Sequence, residues 1–146
     1  MDQLKSRRWN RKRGHAVLEV ALMGPWIFFL FAGALDIGFY CNALIATQNA
    51  ARVAAEYTSK SINTSTASDA ACRYALDEMS SLANVQNLSS CSGTPLTVTA
   101  NQVTGPDGKL ASQVTVTYQT DFLIPIPGLT GQLTMTRTVE MRLQTT

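Results

Sequence analysis

The chain has 146 residues, enough for one modest domain. Charged residues make up 15%, below the usual quarter, and apolar residues 45%, which excludes a disordered, strongly solvated chain. The net charge of +2 is unevenly spread: residues 1–14 carry six basic side chains against Asp2, a net of +5, and the rest nets −3. The basic character is thus a short leader and not a nucleic-acid-binding face. The single histidine, His15, leaves no basis for His-dependent catalysis or a His-rich metal site.

After the basic tail, only Glu19 and Asp36 are charged between Ala16 and Ala51, and the sixteen residues from Val20 to Leu35 carry no charge. A membrane-spanning helix needs about 20 mostly apolar residues. Uncharged Ile37–Ala51 follows Asp36, which leaves room for the helix to lengthen its apolar span outward. Three readings compete: a buried core helix, a cleaved secretory signal with a cut near Ala32-Gly33-Ala34, and a retained membrane anchor. Trp26-Ile27-Phe28-Phe29-Leu30-Phe31 is apolar on every face, which disfavours a core helix. The anchor is favoured, and the six basic residues before it place the N-terminus in the cytoplasm.

Glu19 is unexpected at the start of such a segment, since a carboxylate there is costly in lipid. It belongs to a pattern: Lys12-Arg13-Gly14-His15-Ala16-Val17-Leu18-Glu19, a basic run, a glycine, four uncharged residues and an acid. This resembles prepilins of the type IV filament superfamily. Further along, Val20-Ala21-Leu22, Pro25, Leu35-Asp36-Ile37-Gly38 and Gln48-Asn49-Ala50-Ala51-Arg52-Val53-Ala54-Ala55-Glu56-Tyr57 are similar to the TadE-like family, minor pilins or pseudopilins of tight-adherence (Flp) pili. The likeness covers residues 12–57 and is loose beyond Tyr57.

The resemblance implies cleavage by a prepilin peptidase after Gly14, His15 as the new N-terminus and Glu19 as the fifth-position acid that acts in assembly. Implied partners are that peptidase, other pilins of the same system and the inner membrane, with no nucleic acid, small-molecule substrate or cofactor. The implied location is a bacterial inner membrane, single-pass, with the head periplasmic or extracellular. Residues 15–57 as one helix extend about 65 Å at about 1.5 Å per residue, with Pro25 expected to kink the first turns. Ala43, Ala46, Ala50 and Ala54 recur at three- and four-residue spacing, and are expected to pack against neighbouring pilin helices.

The division expected is a leader at 1–14, a spanning and stalk helix at 15–59 and an exported α+β head at 60–146. Thr66-Ala67-Ser68-Asp69 reads as a capping box, opening a helix near 67–84 with Cys72, Ala75, Leu76, Met79 and Leu82 on one face. Leu96/Val98/Ala100 and Val114/Val116/Tyr118 alternate around Gly105-Pro106-Asp107-Gly108, which predicts a hairpin. Leu133, Met135, Val139, Met141 and Leu143 define one face of a further strand, interrupted by Arg137, so the head is expected to hold one helix and a three- to four-stranded antiparallel sheet. Phe122–Leu129 is an apolar loop, read either as a cover for the core or as a docking edge.

Cys72 and Cys91 fall in the exported part, where oxidation is possible, and are expected to pair; Cys41 lies in the long helix. No catalytic constellation, phosphate-binding glycine loop or zinc-ligand spacing occurs. The sequence alone therefore points to an assembly protein, not an enzyme. The rival reading is a bitopic periplasmic binding module that never enters a filament.

Overall fold

The computed structural model describes the backbone of residues 3–121 and 132–144, and the side chains of His15, 17–121 and 132–144. The Phe122–Leu129 loop lies outside the described residues. Six elements follow in chain order: helix α1 (Gln3–Thr58), helix α2 (Ser68–Glu78), and strands β1 (Ser92–Gly93), β2 (Leu96–Thr104), β3 (Leu110–Gln119) and β4 (Thr134–Arg142). The strands form one antiparallel sheet in the order β1-β2-β3-β4. This is an α+β architecture, a long N-terminal apolar helix followed by a small head.

Helix α1 starts at Gln3, so the basic leader is helical and not an unpatterned tail. Its Lys, Arg, Gln and Leu residues are good helix formers, and nothing breaks the run before Gly14. The helix also continues across Pro25. The chain divides into compact units at Met1–Gly38 and Phe39–Thr146. Helix residues 39–58 belong to the head because their small side chains form part of its core.

The helix expected over 67–84 ends at Glu78. Beyond it, backbone N–H groups of Leu82, Val85 and Leu88 donate to the carbonyls three residues earlier, at 3.0, 3.0 and 2.9 Å. Bonds of that spacing eclipse every third side chain. Met79, Leu82 and Val85 therefore stay on the core side and are buried although the α-helix has stopped. The expected capping box does not form: the residue before the helix is Ala67, with no side-chain cap. Ser68 is used elsewhere, its hydroxyl accepting the Ala100 N–H at 3.0 Å. That bond satisfies a donor of β2 beyond the two residues that β1 covers.

The expected hairpin forms, with Leu96 opposite Tyr118, Val98 opposite Val116 and Ala100 opposite Val114. All six are buried, as alternation places one face of a sheet on a core. At the turn the Gly105 N–H donates to the Lys109 carbonyl at 2.8 Å, and Gly108 has φ +74°, a conformation glycine adopts without a Cβ clash. On the opposite face, paired hydroxyls of Thr115 and Thr138 (3.0 Å) and of Thr117 and Thr136 (3.2 Å) cross between β3 and β4. Along β4, Met135 is buried and Val139 and Met141 pack against the core at partial exposure. Arg137 lies opposite Val116 on that side, but is exposed and donates to the Thr136 carbonyl at 3.2 Å.

Tyr118 closes one end of the core. Its hydroxyl donates to Asn84 Oδ1 at 2.6 Å, and Asn84 Nδ2 donates to the Gln119 carbonyl at 3.1 Å. Burial raises the Tyr118 pKa above its ordinary value, the Asn84 hydrogen bond lowers it, and the nearby Asp121 charge raises it. A raised phenol pKa means that the folded state holds its proton longer than the unfolded chain. This contribution is complete below the unfolded tyrosine pKa of about 10 and is lost as pH rises from there through the folded value. Tyr118→Phe is expected to cost about 1 kcal/mol near neutral pH and to flatten the loss of stability above about pH 10. Guanidinium unfolding of both proteins in detergent across pH 7–11 checks this; an unchanged alkaline slope in the variant rejects it.

Candidate functional site: the N-terminal helix

Gly14 lies inside α1, so the expected cleavage point is helical in the uncut chain. Glu19 stands four residues after His15, about one helical turn, and the side chains of His15 and Glu19 are exposed. Every side chain from Val17 to Phe31 is exposed, Trp26 at 72% and Leu30 at 73%. The exposure surrounds the helix, since consecutive residues Trp26 to Phe31 all share it. A contiguous apolar surface of that kind is not stable in water and calls for lipid or a protein partner. The described residues include one helix, Val17–Thr58, long and apolar enough to cross a membrane.

Two carboxylates bracket the uncharged part of this surface. Glu19 precedes Val20, and Asp36 follows Leu35, and both acids are exposed. Gly24, Gly33 and Gly38 line the same segment with open space where a Cβ would stand, so no close approach within the chain requires them.

The alanine seam has a different role from the one expected. Ala43 is 4% exposed, Ala46 9%, and Ala50 and Ala54 are fully buried, all within the chain's own core. Ala51 and Ala55 join them from α1, and Ala71 and Ala75 from α2. The seam is thus not free for helices of other subunits. The physical cause is the one that suggested packing in the first place: side chains of one carbon let another element approach closely. Here that element is the head. Thr47 sits fully buried in the same stripe because its hydroxyl donates to the Ala43 carbonyl at 2.7 Å.

Because Ala54 is fully buried in the core, Ala54→Leu is expected to overpack it and destabilise the head by about 1–3 kcal/mol. Gln48→Leu, on the exposed side of the same helix, should change stability by less than about 0.5 kcal/mol. Near-UV circular dichroism during thermal unfolding of the full chain in detergent separates the two. Equal stability of the Ala54→Leu and wild-type proteins would reject the assignment of this seam to the head.

At the end of the seam lies a polar node that sequence pattern did not reveal. Ser112, fully buried on β3, donates from its hydroxyl to Thr58 Oγ1 at 2.8 Å and lies 3.1 Å from the Ser65 carbonyl. Thr58 Oγ1 in turn lies 3.2 Å from the Ala55 carbonyl. The last turn of α1, the connection to α2 and the central strand β3 thus meet at hydroxyls. The Gln144 N–H adds the chain's far end by donating to the Ser59 carbonyl at 2.9 Å. The only sequence signal was Ser112 standing on the apolar face of a strand.

Cys72 and Cys91 form a disulfide, with Cα atoms 5.6 Å apart, joining α2 to the segment before β1. Cys41 is a free, exposed thiol on α1. Among the described residues, no group of three or more His, Cys, Asp or Glu side chains is arranged to hold a metal ion.

No family model matches the chain, and neither a curated protein nor a solved structure does. The functional reading therefore rests on the residues themselves.

Proposed function

We propose that this chain is a minor pilin, or pseudopilin, of a tight-adherence (Flp, type IV) pilus, of the TadE-like kind. The observation that carries the reading is a single pattern in α1. A basic run and Gly14 precede Glu19, and an apolar surface exposed on all sides follows at once. A secretory signal would be discarded with its apolar segment; here that segment is one continuous helix with the part that enters the head core. In the proposed scheme the N-terminus is cytoplasmic, the helix crosses the bacterial inner membrane once, and the head is exported. The Cys72–Cys91 disulfide supports an oxidising compartment for the head. A prepilin peptidase removes the first fourteen residues, and other pilins of the same system are the assembly partners. The mechanism is transfer of a membrane-held helix into a filament, with no chemistry performed by the head.

Gly14 is the residue on which trimming depends. It lacks a side chain to obstruct an active site, and it weakens the helix locally by about 1 kcal/mol relative to alanine, which eases unwinding at the cut. Gly14→Leu is expected to leave full-length protein in cells that contain the peptidase, and wild-type protein is expected to accumulate uncut in cells that lack it. A mature N-terminus near Ala34 or Asp36 instead of His15 would replace the pilin reading with an ordinary secreted protein.

The second reading, a bitopic binding module that stays in the membrane, draws on the alanine seam being occupied by the chain's own head. Shearing surface filaments from cells decides between the two. A pilin appears in the sheared fraction; a static anchor remains wholly with the membranes.

A further inference from the structure

We propose that the surface of α1 between Glu19 and Asp36 is fitted to a thin lipid bilayer, one whose hydrocarbon layer is about 24–26 Å instead of the usual ~30 Å. This rests on the membrane-anchor reading above and adds which bilayer the anchor suits.

Three observations set the limit. The uncharged segment, Val20–Leu35, is closed at both ends by exposed carboxylates, Glu19 and Asp36. At about 1.5 Å per residue those acids stand about 26 Å apart along the helix. Past Asp36 the span can gain only Ile37, Gly38 and Phe39 before the helix meets the head core. Tyr40 and Leu44 pack against the head core, and Ala43, Ala46, Ala50 and Ala54 are inside it. Lipid can therefore surround the helix only before that point. Within the segment, Trp26, Ile27, Phe28, Phe29 and Phe31 are 60–72% exposed, so as far as Phe31 the helix offers lipid an apolar surface on every side, while Ala32 is buried.

A helix longer than its bilayer can tilt to fit, but a shorter one has no such remedy. It must draw the headgroups inward or pull its terminal charges toward the hydrocarbon. A thick bilayer thus penalises this span, and the same penalty eases its withdrawal from lipid.

The test uses the full chain carrying Trp9→Phe, which leaves Trp26 as the single tryptophan. It is reconstituted into vesicles of dimyristoleoyl-, dioleoyl- or dierucoyl-phosphatidylcholine, each doped with lipid brominated near the chain ends. Trp26 stands seven residues after Glu19 and ten before Asp36, near mid-span. Its fluorescence is expected to be quenched deeply in the two thinner bilayers, with the deeply inserted fraction on the order of tenfold lower in dierucoyl vesicles. Asp36→Leu removes the outer carboxylate and is expected to restore deep quenching in dierucoyl vesicles. Equal quenching in all three lipids, or a maximum in dierucoyl vesicles, overturns the thin-bilayer inference and leaves the anchor intact. Shallow quenching in every lipid overturns both.

Discussion

On the pilin function proposed above, Glu19→Ala is expected to leave trimming and head folding unchanged while reducing surface filaments about tenfold or more. The argument begins from an exposed carboxylate at the edge of an apolar helix. An ionised acid within the hydrocarbon layer costs roughly 2.5–3.5 kcal/mol at mid-membrane, and it remains costly among packed helices from which water is excluded. After cleavage at Gly14, His15 would carry a free α-amino group, with an ordinary pKa of about 7.7–8. A cation of that kind, supplied by another subunit, offsets the cost of burying the acid. It also fixes the axial register between the two chains. Losing about 1.4 kcal/mol per contact lowers an assembly constant tenfold, and filaments repeat the contact many times. The head should be unaffected, because its core begins with residues of the Phe39–Thr146 unit. Filament counts per cell, with a Glu19→Gln strain that keeps the side-chain shape, provide the measurement. Normal piliation in the alanine strain would make Glu19 an interfacial acid without a partner.

Removing the disulfide is expected to have the largest effect on the head itself. Cys72 and Cys91 are separated by 19 positions and both are 7% exposed. Opening a loop of that size costs about 3 kcal/mol in the chain-entropy account, whose mechanism is model-dependent. The consequence is not confined to the cross-link. The Cys91 carbonyl accepts the Val98 N–H at 3.0 Å, so the bridged segment also covers the outer edge of β2. A Cys72→Ser/Cys91→Ser protein in detergent should therefore unfold at lower guanidinium concentration by an amount equivalent to about 3 kcal/mol. Dithiothreitol treatment of the wild type should reproduce the shift. Cys41 should react with maleimide in the folded, oxidised protein, since it is free and exposed. A stability change below about 1 kcal/mol would show that packing around the sulfurs, and not the covalent link, holds this end of the head.

The arrangement of the hairpin was legible because alternation is a local signal. One face of β2 and β3 carries Leu96, Val98, Ala100, Val114, Val116 and Tyr118, and sliding the register by one residue would turn the apolar set toward solvent. The long helix was legible for a similar reason: its apolar residues run without a break, a signal that needs no distant partner to be known. The disulfide was legible from the placement of two cysteines after the long apolar helix. The end of α2 was not. Met79, Leu82 and Val85 have a spacing that suits both an α-helix and a series of three-residue turns, and only the hydrogen bonds distinguish them. Thr66 and Asp69 had the right separation for a capping box, yet the helix begins after Ala67, and Ser68 bonds to β2 instead.

By itself, the sequence determined that this protein has an α+β head behind a long apolar helix, with a basic segment and a lone acid at its start. Those features depend on composition and on the periods of strand and helix, which neighbouring residues establish without distant contacts. Tertiary structure alone decided what covers the alanine stripe. Small residues at three- and four-residue spacing admit any close neighbour, and the sequence carries no sign of whether that neighbour is another subunit or the chain's own sheet and second helix. In the fold it is the latter, with Ala50, Ala51, Ala54 and Ala55 fully buried. The same packing decided where α1 joins the head, because the face that carries Ala43, Ala46, Ala50 and Ala54 is held in the head core.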